Sequence, residues 1–74
     1  MKLNCIGLNQ TELVLNDKSR LFFSYSVPVV FINAKNQAFK TSKKYSATTT
    51  KHINKYLNGK NAEYKNQEFF DNII

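Results

Sequence analysis

His52 is the single histidine of the chain and the first residue to test for chemistry. To activate a nucleophile it would need a hydroxyl or thiol in reach and an acid to orient its ring. Serine and threonine are plentiful, but every acid lies toward one end of the sequence: Glu12 and Asp17 before it, Glu63, Glu68 and Asp71 after it. A metal centre would need further His, Cys or carboxylate ligands at short spacing, and none stands beside His52. The sequence therefore assigns no catalytic residue, no metal ligand and no cofactor. It leads us to expect a binding protein, not an enzyme. Two readings of His52 stay open: a structural ring packed on Tyr56 or bonded to a strand carbonyl, or a contact to nucleic acid or a protein partner.

The other residues with chemical potential surround it. Thr48, Thr49 and Thr50 bunch where a helix should begin, and their hydroxyls can satisfy amides that a first turn leaves unbonded. Lys43 and Lys44 come just upstream, Lys51 and Lys55 one helical turn apart downstream. Free amides, hydroxyls and lysines together suit a phosphate. Against this stands the plainer reading of capping threonines and a solvated lysine pair. The candidate contacts to nucleic acid or a partner are Lys43, Lys44, Thr48, Lys51, His52 and Lys55.

Charge sharpens the picture. The net charge is +6, but Lys18 to Lys60 holds nine of the eleven basic residues and no acid. A run of that kind repels itself. It reflects either solubility in a Lys/Asn-rich composition or attraction to phosphate or to an acidic protein surface. On duplex DNA, engagement of about five phosphates would give a log–log salt slope of about −4.5. Phe22, Phe23, Tyr25, Phe31, Phe39, Tyr45 and Tyr56 interleave the basic run. Most must be core in so short a chain, with Tyr25 and Tyr45 the first candidates for exposure.

At 74 residues the chain is one domain, 1–74, with 42% hydrophobic and 14% aromatic content, enough for a core. One cysteine excludes an internal disulfide framework, and burial in a strand is its expected fate. No apolar segment precedes Cys5 and no run is long enough for a membrane span, so the expectation is a soluble, cytoplasmic protein with no membrane partner.

The elements that must position these residues follow from periodicity. Residues 2–8 and 11–15 read as strands, with Asn9-Gln10 a turn and Asn16-Asp17-Lys18-Ser19 a stronger one. Residues 20–25 alternate as a half-buried aromatic strand, and Ser26-Val27-Pro28 reads as a tight turn or edge break. Val29–Ile32 is an apolar central strand and residues 38–41 a short one, completing an antiparallel meander with one apolar face. Residues 45–59 form the covering helix, capped by Ser46, with Thr48 or Thr49 as competitors, and stopped by Asn58-Gly59, burying Ile53 and Leu57 and turning Lys51 and Lys55 outward. Ala62–Lys65 fits a short edge strand. Asn66 caps a last helix with Phe69, Phe70, Ile73 and Ile74 on its apolar stripe. The expected class is α+β: a small antiparallel sheet of about four to five strands covered by one central helix, with a short C-terminal helix.

Two stretches, Ser24-Tyr25-x-x-Pro28-Val29 and Tyr45-Ser46-x-Thr48-Thr49-x-x-His52-x-Asn54-x-x-Leu57, carry a resemblance. The middle of the chain resembles small bacteriophage-type proteins of unknown function that share this pattern. The resemblance implies a phage or mobile-element accessory protein and brings no chemistry with it. Two functions follow as expectations: binding of DNA or RNA through a basic face, or inhibition or modulation of a host nuclease or defence system by protein contact. A mimic of DNA would be acidic, so this chain is not one.

Overall fold

A computed structural model describes residues 1–73. The chain is α+β. Five strands follow one another, β1 (Lys2–Gly7), β2 (Gln10–Val14), β3 (Arg20–Ser24), β4 (Val27–Ile32) and β5 (Ala38–Thr41). Helix α1 (Ala47–Leu57), strand β6 (Ala62–Lys65) and helix α2 (Gln67–Asp71) complete it. The strands form one six-stranded sheet in sequence order, antiparallel from β1 to β5. The β3–β4–β5 meander and the β1–β2 pair are as expected from periodicity.

Three features differ from expectation. The sheet has six strands, not four to five, and its last pair is parallel: β6 runs alongside β5 with Lys40 opposite Tyr64. A parallel pair cannot close through a tight turn; it needs a long crossover, here residues 42–61 with α1 inside it. Both faces of the sheet are also covered, not one. Phe22, Val30 and Ala38 pack with Ile53 and Leu57 of α1. Leu21, one residue from Phe22 and so on the opposite face, packs with Leu13 and Phe70 of α2, flanked by Phe23, Phe31 and Phe39. Consecutive bulky residues in β3 are what a strand buried on both sides requires.

Local chemistry explains the boundaries. The β3–β4 turn is Tyr25-Ser26, and Pro28 lies inside β4. There Phe22 pairs Val30 while Phe23 pairs Pro28, so Val29 is an extra residue in the ladder. That bulge lets a residue without an N–H sit in a central strand. Helix α1 begins at Ser46, whose Oγ accepts from the Thr49 amide at 3.3 Å, and ends at Asn58 in the left-handed conformation, followed by Gly59 at φ 82. Asn66 caps α2 in the same way, its Oδ1 accepting from the Phe69 amide at 3.0 Å. Phe70 is fully buried, so the tail is docked. The expected place of Ile74 on its stripe lies outside the described residues.

Cys5 corrects another expectation: it is exposed. It lies on β1, the edge strand, beyond the reach of both helices. Met1, Leu3, Ile6 and Leu8 are exposed beside it for the same reason. No helix among the described residues is long and apolar enough to cross a membrane.

Candidate functional site

The crossover that makes β5 and β6 parallel also builds a cleft. Both strands end on the side where α1 begins, and the segment 42–46 joins β5 to that helix. Ligand sites in α/β units favour this position, outside the carboxyl ends of parallel strands. The cleft holds about 520 Å³. Lys40, Lys43 and Lys44 line it with Tyr45 and Tyr64, and Thr50, Ile53 and Asn54 of α1 form its wall. None of its lining residues is acidic.

Each lysine head is steered by an aromatic or left to solvent. Lys40 Nζ lies 4.7 Å from the centroid of the Tyr64 ring, its partner in the β5–β6 register. Lys43 Nζ lies 5.3 Å from the centroid of Tyr45. Exposed cation–π contacts of this kind contribute about 0.5–1 kcal/mol, so an incoming anion can draw the ammonium away at small cost. Tyr64 is 63% exposed and Tyr45 36%. Burial, then the charge of Asp71, raises the Tyr45 pKa, so its hydroxyl keeps its proton through the neutral range. The one ion pair among the described residues is Lys65–Glu63 at 3.2 Å, so no cleft lysine has a carboxylate partner there. A second hollow, at the other end of β5–β6, is lined by one lysine, Lys60, and one acid, Glu63, and offers no net positive charge.

The six residues singled out from sequence divide three ways. Lys43 and Lys44 enter the cleft. Thr48, Lys51 and Lys55 are exposed and sit outside it, on the outer face of α1. His52 occupies the far flank of the helix. Its Nδ1 is 2.8 Å from Ser24 Oγ, and its ring centroid is 5.9 Å from that of Tyr25. Ser24 is buried, 1% exposed, and its Oγ also donates to Thr49 Oγ1 at 3.2 Å. A hydroxyl so enclosed is shut off from any substrate, and the pair fastens α1 to β3.

The expected packing of His52 on Tyr56 or on a strand carbonyl is thus replaced by a bond to a strand hydroxyl. Tyr56 instead stacks on Phe22, ring centroids 4.2 Å apart, and donates to Glu12 Oε2 at 2.6 Å. Thr49 is buried against the sheet, and Thr50 Oγ1 bonds back to the Ser46 carbonyl at 3.4 Å.

Lys40, Tyr64 and Asn54 were not singled out from the sequence, and Thr50 only as one of three first-turn threonines. Part of the signal was present, since a helix between two short strands is the connection a parallel pair needs; the register that sets Lys40 beside Tyr64 came only with the fold. No group of three or more His, Cys, Asp or Glu able to hold a metal ion occurs among the described residues.

Small α+β folds host many functions, so the class is set by the sheet and its βαβ cleft, not by a known chemistry. Residues 1–72 match the model of a family of unknown function (DUF8033), and the chain belongs to that family. No curated protein and no solved structure matches it.

Proposed function

We propose that this protein is a non-enzymatic nucleic-acid-binding accessory protein and that the β5–α1–β6 cleft is its contact surface. The observation that supports this is three lysines, Lys40, Lys43 and Lys44, gathered with Tyr45 and Tyr64 in a cleft without acidic lining residues. Lysines supply sequence-independent attraction to phosphate, and exposed tyrosines supply ring faces. Lys51 and Lys55 add field from the outer face of α1, while His52 contributes by anchoring the helix. The resemblance to bacteriophage-type proteins supports a phage or mobile-element setting in a bacterial cytoplasm.

The test is anisotropy titration of labelled single-stranded and duplex oligonucleotides between about 50 mM and about 200 mM salt. Three phosphate contacts give a log–log slope of about −2 to −3. The Lys43→Ala/Lys44→Ala pair should weaken binding more than Lys51→Ala/Lys55→Ala. An absence of binding to every DNA and RNA at low salt would sink the proposal.

A second reading has its own support: β1 is an edge strand, and its Leu3 and Ile6 are exposed together with Met1 and Leu8 at its two ends. Such an edge suits strand addition to a protein, including a host nuclease or defence component. A stoichiometric host partner that survives Lys43→Ala/Lys44→Ala and is lost on Ile6→Lys would favour it.

A further inference from the structure

The cleft has room and chemistry for one nucleotide of a single strand, an inference that deepens the nucleic-acid reading and rests on it. At about 520 Å³ its volume falls within the range of roughly 300–1,000 Å³ that small-ligand sites occupy. A duplex keeps its base faces stacked inside and shows a protein only their edges, so it offers this cleft phosphate but no ring. An unpaired nucleotide offers both. The two needs are met side by side here: Tyr64, 63% exposed on the last strand, presents an aromatic face, and Lys40, its neighbour across the parallel ladder, stands over that ring with Nζ 4.7 Å from the centroid.

We propose that this protein selects single-stranded over duplex nucleic acid by stacking an unpaired base on Tyr64. Lys40 then swings from the ring to the adjoining phosphate, with Lys43 and Lys44 holding the phosphates on either side. Asn54 on the α1 wall carries an amide, donor and acceptor together, that can meet a base edge. Because Tyr64 takes part through its ring and not its hydroxyl, base identity matters little to the stack. Lys65, the next residue in β6, points to the other face of the sheet. Its Nζ lies over the rings of Phe39 and Phe69, at 5.7 and 5.8 Å. The stacking role therefore belongs to the α1 side of β6 alone.

The chain contains four tyrosines and no tryptophan, so tyrosine emission is unmasked, and the part of the quenching that Tyr64→Ala removes reports the stack. The experiment titrates the full chain with oligo(dT) of about twelve nucleotides and with a duplex of the same length, following anisotropy and tyrosine emission. The wild-type protein should bind the single strand more tightly than the duplex, with quenched emission. Tyr64→Ala should lose about five- to 150-fold of affinity for the single strand, the equivalent of one stacked base at about 1–3 kcal/mol, and little for the duplex. Tyr64→Phe should restore it. Tyr64 is exposed on an edge strand, and circular dichroism checks that each variant is folded. Tighter duplex binding, or equal single-strand affinity in Tyr64→Ala and wild type, overturns the inference while leaving nucleic-acid binding intact. Failure to bind either probe overturns both.

Discussion

Tyr56 shows how one side chain couples the helix to the sheet and gives stability a pH dependence. Burial first, then the hydrogen bond to Glu12 and the Glu12 charge, raises its pKa well above the ordinary 10.0. The folded protein therefore keeps this proton after the unfolded chain has released it. The stabilisation is complete below about pH 10 and is lost as pH rises through the folded pKa. In denaturant melts across the alkaline range, wild type should lose stability more steeply than Tyr56→Phe, which has no proton to lose. Parallel curves would show that the phenol is not held this way. At the acid end the carboxyl of Asp17 accepts from the Ser19 hydroxyl and then its amide, which lowers its pKa. Its small share of stability is present above the ordinary carboxylate range and lost as pH falls through the folded value.

At the scale of elements, the two helices do unequal work for their lengths. Helix α1 spans eleven residues and is held by Ile53, Leu57, Thr49 and the His52–Ser24 bond; α2 spans five and is held mainly by Phe70. Helix α2 adds polar clamps: Gln67 Nε2 donates to the Pro28 carbonyl at 2.7 Å, and Thr41 Oγ1 donates to Gln67 Oε1 at 2.9 Å. Five residues cannot hold a helix by themselves, so docking must stabilise α2. Phe70→Ala should cost about 3–5 kcal/mol in urea melts, close to the whole stability of so small a domain. Removing the α1 cap with Ser46→Ala should cost only about 1 kcal/mol. A Phe70→Ala protein as stable as Ser46→Ala would mean that the second face of the sheet closes without α2.

For the molecule as a whole, the dominant electrostatic fact is the acid-free basic run from Lys18 to Lys60. Folding brings those charges into a body with principal extents of 31 × 24 × 24 Å, comparable with the Debye length of about 30 Å at 0.01 M salt. Raising salt to about 0.15 M shortens that length to about 8 Å and screens the repulsion. Tm should therefore rise by a few degrees, on the scale of about 4–8 °C per kcal/mol for a domain this size. A flat Tm would mean that the charges are already compensated. Salt then acts in opposite directions on the two properties of the basic region, strengthening the fold and weakening the proposed binding.

Much of this was legible in the sequence because it depends on near neighbours. Ser46 and Asn66 as caps, the Asn58-Gly59 stop, the β3–β5 meander and the outward Lys51 and Lys55 all follow from local spacing. Turn chemistry needed two corrections: the first turn is Leu8-Asn9, with Gln10 already in β2, and a bulge at Val29 accommodates Pro28 within β4 and leaves Tyr25-Ser26 as the turn. What periodicity could not give was partnership at a distance. An isolated strand carries no mark of whether its neighbour runs parallel or antiparallel. So the pairing of β5 with β6, and the meeting of Lys40 with Tyr64, depended on where the crossover delivered the chain. The same holds for His52, which was readable as a flank residue while its partner, Ser24, lies in a strand 28 residues away. The exposure of Cys5 was also decided late, because being an edge strand is a property of the sheet and not of Lys2–Gly7. Sequence determined the elements, their caps and the basic character, which are set by contacts within a few residues. Tertiary structure alone decided which of the lysines share a cleft, because that depends on the hand and register of a crossover that no local interaction encodes.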